Sequence, residues 1–189
     1  RPPRSTLFPH DALPISIHGN DDVLEAMTRV CHAAPHARLL FVGAPPPRVL
    51  SLRERAFRRG VGESVHVLGH REDIPQILAA SDVVVDASYA GLGLTGSLRE
   101  ALAVETPVIG TDLEGHPELI LEGETGLLVP PRNPDALAQA ILRLLENPTR
   151  AKAMARAGRK RVEAHFSMAQ KIQRTEALYE RLWAARGRP

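Results

Sequence analysis

Apolar residues fall into two alternating arrangements from Ile17 onward. In "NDDVLEAMTRVCHAA", Val23, Leu24, Met27 and Val30 recur at helical spacing behind Asn20 and two aspartates, which predicts a helix with one buried face. "ARLLFVG" is a continuous apolar run ended by Gly43, the pattern of a strand covered on both faces. "PPPRVLSLRERAFRRG" predicts a basic helix closed by Gly60, "SVHVLG" a second strand and "REDIPQILAAS" a short helix. "DVVVDAS" is the clearest strand, β-branched residues followed by small ones. Behind it come a glycine-rich loop, a helix around "SLREALAVE", a strand "PVIGTD", a short helix "GHPELILEG" and a strand "GLLVP". Three helices close the chain. Asn133–Pro134 and Asn147–Pro148 each supply an N-cap and a proline for the first helical position, and Ser167 with Gln170 has capping-box spacing.

Strands that are apolar throughout, alternating with helices, predict an α/β fold: a doubly wound parallel sheet with helices on both faces and further helices at the C-terminal end. Ligands of such sheets lie outside the carboxyl ends of the strands. The loop "YAGLGLTG" and the turn carrying His70 and Arg71 both fall at such ends. The opening "RPPRSTLFPHDALPIS" is proline-rich and aperiodic, and His10 to Ser16 resembles a translated sequencing adapter; a disordered linker is the other reading. Residues 1–16 are therefore set aside as a non-native or disordered tail, which leaves residues 17–189 as one domain.

Composition narrows the function classes. The chain has 189 residues, 43% of them hydrophobic, enough to build a core. Its 24 basic and 22 acidic side chains nearly cancel, and aromatic residues make up 4%, which argues against a nucleic-acid partner held by bulk charge or base stacking. A single cysteine, Cys31, lies in a helical stretch, no apolar run has membrane-spanning length, and the expected compartment is the cytoplasm. The basic stretch Arg150 to Arg161 reads as a solvated helix face in preference to a peripheral membrane contact. Eight histidines without HxH or CxxC spacing indicate no metal site, and no cofactor is called for.

The loop behind "DVVVDAS" is the best candidate for chemistry. Gly91, Gly93 and Gly96 allow a ligand to approach the backbone, and the following helix offers unpaired N–H groups suited to phosphate. A purely structural reading fits the same residues. Ser97 and Glu100 have capping-box spacing, so Glu100 would only satisfy the helix start.

The wider pattern favours a ligand. "LGHREDIPQILAASDVVVDAS", "REALAVETPVIGTDLEGHPELI" and "EGETGLLVPPRNPDALAQAILRLLENP" follow one another in an order and at spacings that resemble the C-terminal, donor-binding domain of family-four glycosyltransferases. These enzymes have the two-domain, Rossmann-like GT-B fold, and the resemblance spans roughly Ile17 to Trp183. It implies a retaining hexosyltransferase that uses a nucleotide diphosphate sugar, with the acceptor held by a missing N-terminal domain. Glu100 before Ala101 matches the glutamate that accepts hydrogen bonds from the ribose, and Gly91, Leu92 and Gly93 match the loop whose N–H groups approach sugar and diphosphate. His70 and Arg71 match the segment lining the nucleobase pocket; an ion pair of Arg71 with Glu72 or Asp73 is the alternative.

Two departures from the family stand out. Ala90 occupies the place of the usual sugar-side glutamate, and nine residues instead of seven separate it from Glu100, so Thr95 and Ser97 become candidate replacement contacts. A variant of the family with a similar "TGxxREA" pattern makes this a possible subgroup mark. His18 stands where the family has a diphosphate-binding lysine, which shifts leaving-group stabilisation to the helix N-terminus and Arg99. A nucleotide-sugar 2-epimerase of the same architecture, or a noncatalytic nucleotide-binding module, are the competing expectations. The last helix, with Tyr179, Leu182 and Trp183, resembles the family segment that crosses to the other domain, so an exposed apolar patch is expected there.

Overall fold

A computed structural model describes residues 5–9 (backbone only), 19–44, 46–90, 96–113 and 115–185. Six strands form one parallel sheet: β1 (Ser5–Pro9), β2 (Arg38–Val42), β3 (Val65–Val67), β4 (Val83–Asp86), β5 (Val108–Thr111) and β6 (Leu127–Val129), in the spatial order β3-β2-β1-β4-β5-β6. The helices are α1 (Asn20–Ala33), α2 (Pro46–Arg58), α3 (Ile74–Ala80), α4 (Gly96–Ala103), α5 (His116–Leu119), α6 (Pro134–Glu146), α7 (Pro148–His165) and α8 (Met168–Ala185). This is the doubly wound architecture that the strand–helix alternation predicts.

One element differs from the sequence reading. Ser5–Pro9 lies inside the stretch set aside as a tail, yet it pairs with β2 from Ser5↔Arg38 to Pro9↔Val42 and with β4 through Thr6↔Val83 and Leu7↔Val84. The physical reason is ladder completion. The five strands legible from Ile17 onward leave β2 and β4 facing each other across a gap, and buried strand edges without hydrogen-bond partners are costly. Five extended residues fill the gap, too few for a periodicity to register.

The continuous apolar runs are explained by two cores, one on each sheet face. Val83 and Val85 join Leu39, Phe41 and Ile109 against Val23, Met27 and Val30 of α1 and Ile141 of α6. Val84, Val42 and Val108 point the other way, against Leu98 and Leu102 of α4, Leu78 of α3 and Val162 of α7. Alternate side chains thus serve opposite layers, as the two-residue repeat of a strand requires.

The helix ends follow the punctuation of the sequence, with one exception. α2 ends in a Schellman arrangement: Gly60 has φ 73°, its N–H donates to Phe57 O, and Val61 N–H donates to Ala56 O. Asn133 caps α6, its Oδ1 accepting from Ala136 N–H at 3.0 Å, and Ser167 Oγ accepts from Gln170 N–H at 3.3 Å. Asn147 precedes α7 without capping it; its side-chain amide instead donates backwards to Arg143 O of α6 at 3.4 Å. The apolar stripe of α8 stands in solvent as expected, with Tyr179 70%, Leu182 54% and Trp183 80% exposed.

Candidate functional site

The chain winds outward in both directions from β1, so the topological switch lies between β1 and β4, and a crevice for ligands is expected at their carboxyl ends. The start of α1 meets the exit of β4 there. Gly19 has φ 62°, and a Cβ on it would stand 2.0 Å from Ala87 O. Both the left-handed conformation and the close approach demand glycine.

α4 is fastened to the sheet by buried Leu98, Ala101 and Leu102, which leaves Glu100 exposed on the opposite side. Glu100 Oε1 lies 3.2 Å from the position a Cβ on Gly96 would take, so the carboxylate is folded back along the first turn. Ser97 is the second residue of α4 and lies inside the helix, whereas a capping box with Glu100 would need it at the N-cap. The arrangement leaves the carboxylate oxygens available to a pair of hydroxyl donors.

A buried polar network aims the chain as it leaves β4. Ser88 N–H donates to Asp86 Oδ1 at 3.0 Å, and the Thr111 hydroxyl donates to Ser88 O at 2.5 Å. His116, 3% exposed, has Nδ1 3.0 Å from Thr111 O and 3.2 Å from its hydroxyl. A carbonyl oxygen only accepts, so Nδ1 carries a proton. Nε2 is buried without a hydrogen bond, with Asp86 Oδ2 at 3.8 Å. Gly110 makes room for the ring, since a Cβ there would lie 3.2 Å from Nδ1. The Ser88 backbone is thereby held on both its N–H and its carbonyl.

The far wall comes from the loop between β6 and α6. The Arg132 guanidinium lies 4.3 Å over the Tyr89 ring, and Arg132 itself has φ 55°. Asp22, in the first turn of α1, has Oδ2 buried without a hydrogen bond. Burial, and then the charge of Asp21, push its carboxyl above the usual value of 3.8, against the pull of Arg132. In Asp21 itself burial is outweighed by Arg55 and Arg59, which hold its carboxyl below the usual range and tie α1 to α2.

Of the residues singled out from the sequence, Glu100 and Ser97 lie on the first turns of α4, and Ala90 follows Tyr89 half-buried. His70 and Arg71 follow β3, at the sheet edge three strand spacings from β4, or about 14 Å. Arg71 is forked onto Asp73, with contacts of 2.7 and 2.6 Å. Arg99 points to the other flank of α4, into a groove with α7 and α8. Gly91, Leu92, Gly93, Thr95 and His18 lie outside the described residues. Asp22, Asp86, Thr111, His116 and Arg132 escaped sequence reasoning; the signal available was the aspartate closing "VVVD" and the histidine opening "HPEL". Among the described residues, no group of three or more His, Cys, Asp or Glu side chains is arranged to hold a metal, and no helix is long and apolar enough to cross a membrane.

The family model described as "Glycosyl transferases group 1" matches residues 12–147. The chain is 35% identical over 162 residues to the GDP-mannose-dependent monoacylated alpha-(1-6)-phosphatidylinositol monomannoside mannosyltransferase of Corynebacterium glutamicum, covering 79% of this chain and 40% of that protein. Anabaena HepE, solved in complex with UDP, superposes with a TM-score of 0.83 at 24% identity, over 94% of this chain and 49% of that one. The C-terminal domain of the group 1 glycosyltransferase LpcC from Francisella tularensis superposes with a TM-score of 0.77 at 22% identity, over 88% of each chain. These structural likenesses show the Rossmann-like GT-B fold, and this chain spans less than half the length of the full-length relatives. The chain belongs to the group 1 glycosyltransferases.

Proposed function

We propose that this chain, its central strand β1 included, forms the donor-binding half of a retaining glycosyltransferase, with a nucleotide diphosphate sugar seated in the crevice between β1 and β4. The observation that carries this reading is Glu100, folded back over Gly96 on the first helix after β4 and free of a capping role. A carboxylate so placed accepts two hydrogen bonds from the vicinal hydroxyls of a ribose. The nucleotide bound to Anabaena HepE supports the same ligand class.

In this reading the N-terminus of α4, with that of α1 across Gly19, faces the diphosphate, and their partial positive charge favours the anion that grows as the bond from sugar C1 to the phosphate oxygen breaks. The new bond from C1 to the acceptor oxygen forms on the face the diphosphate leaves, the acceptor hydroxyl's proton passing to the departing phosphate oxygen, so configuration is retained. The Asp86–Ser88–Thr111–His116 network holds the loop entrance fixed, which avoids reorganisation at that moment. No cofactor besides the donor is needed. The acceptor site belongs to the part of the enzyme outside the span matched here, and the protein acts in the cytoplasm.

The test is calorimetric titration of the chain with UDP and GDP, repeated on Glu100→Ala. A carboxylate accepting two hydrogen bonds from neutral hydroxyls contributes roughly 2–3 kcal/mol in total, so affinity should fall about 30- to 150-fold. Equal affinity in the variant would refute ribose recognition by Glu100.

A further inference from the structure

Arg99 leads to a second site. It emerges from the flank of α4 turned away from the β1/β4 crevice and enters a groove of about 340 Å³ against the end of α7 and the first turns of α8. Two segments distant in sequence bring cations to it, Arg99 from α4 and Lys171 and Arg174 from α8, and the His165 ring at the end of α7 lines it as well. Among the described residues, no acidic side chain lines the groove. Among the described residues none of Arg99, Lys171 and Arg174 is in an ion pair, whereas neighbouring Arg159 is bound to Glu163 at 2.8 Å. Like charges gathered without counter-ions repel, and an anion between them relieves that repulsion.

Two further features specify the anion. The groove includes Ser167, the residue that caps α8, so the positive end of an 18-residue helix opens into the same space as the cations. Phe166 and Leu178 give the groove an apolar side, and the hydroxyls of Ser167 and Thr175 border it. Guanidinium groups fit the oxygens of a phosphate in a bidentate manner, and lysine adds a point charge. The volume leaves room for an organic group beside the phosphate.

We propose that this groove binds a phosphate ester, as a site separate from the nucleotide crevice. The phosphate sits among Arg99, Lys171, Arg174 and the N-terminus of α8, and the organic part lies against Phe166 and Leu178. α4 then serves two ligands, presenting Glu100 on one side and Arg99 on the other. The inference does not depend on the donor reading, because it rests on charges outside the crevice.

The probe is sn-glycerol 3-phosphate, titrated into the chain by calorimetry with and without UDP. A second arm measures co-sedimentation with phosphatidylcholine vesicles containing phosphatidic acid, against phosphatidylcholine alone. Expected is saturable binding that weakens at least about tenfold in Lys171→Gln/Arg174→Gln and falls with added salt, as partly exposed charge pairs do. Glu100→Ala keeps this binding, and the double variant keeps its affinity for UDP, so failure of either reading is told apart from failure of the other. Binding of the soluble ester alone identifies a free phosphate ester, and binding of phosphatidic acid vesicles alone identifies a lipid headgroup. No saturable binding in either arm, or equal binding by the double variant, overturns the proposal. Lys171 and Arg174 are exposed, and an unchanged thermal midpoint verifies that the variant is folded.

Discussion

Replacing Gly19 by alanine tests the packing on which the crevice is built. Two costs add at this position. The left-handed φ of 62° costs a residue with a Cβ about 1–2 kcal/mol relative to glycine. The Cβ would also stand 2.0 Å from Ala87 O and 2.8 Å from Ala87 C, which are backbone atoms with no rotamer to change. Either α1 or the exit of β4 must shift, and overpacking of this kind costs about 1–3 kcal/mol. The sum, about 2–5 kcal/mol, is a large part of the stability of an ordinary domain. Gly60→Ala is the control, because Gly60 has φ 73° but nothing within 4 Å of its Cβ position. Urea denaturation of both variants at equal m separates the terms. Gly60→Ala should lose about 1–2 kcal/mol, and Gly19→Ala about 1–3 kcal/mol more. UDP affinity should fall in Gly19→Ala alone. Equal destabilisation by the two substitutions would show that α1 does not press on Ala87 and would remove the crevice as drawn.

Three other outcomes follow from the same reasoning. Thr111→Val keeps the shape but leaves the buried Ser88 carbonyl without its donor, so urea denaturation should show a loss of about 1–3 kcal/mol. Gly158→Ala sets a helix-propensity gain of about 1 kcal/mol against a Cβ 2.4 Å from Leu102 Cδ2 and 3.1 Å from Thr125 O. Overpacking of about 1–3 kcal/mol should prevail, since Leu102 is fully buried and Thr125 O is backbone, and a variant with a higher thermal midpoint would refute the tight α4–α7 contact. Asp22→Asn tests the carboxyl raised by burial. The folded protein binds that proton more tightly than the unfolded chain, so the stabilising contribution is full below the unfolded pKa and is lost as pH rises through the raised one. The substitution should therefore raise stability at pH 7 more than at pH 3, read from urea midpoints, and an equal effect at both would show that Asp22 ionises normally.

The apolar runs in "ARLLFVG" and "DVVVDAS" were sufficient to place buried parallel strands, because a strand covered on both faces has no polar position. Caps were legible for the same local reason: Asn133 and Ser167 act on N–H groups three residues away, within reach of the residues printed beside them. Asn147 shows where this stops. Its neighbours predict an N-cap, but the preceding helix ends close enough to take its amide.

Glu100 is singled out only by the segments around it, since its spacing from Ser97 fits a helix cap equally well. Only the folded chain shows Ser97 inside α4 and the carboxylate lying back over Gly96. His116, Thr111 and Asp86 carry no spacing signal, being brought together by the adjacency of β4 and β5. Arg99 marks the same boundary: one residue along a helix turns a side chain by about 100°, so Arg99 enters a groove with α7 and α8 that its exposed neighbour Glu100 does not line. The sequence by itself determined the alternation of strands and helices and most of the helix ends, because each is set by residues within a few positions of one another. The tertiary structure decided the central strand at Ser5–Pro9, the polar network under the loop and the flank each α4 side chain faces, because those depend on which distant segments become neighbours.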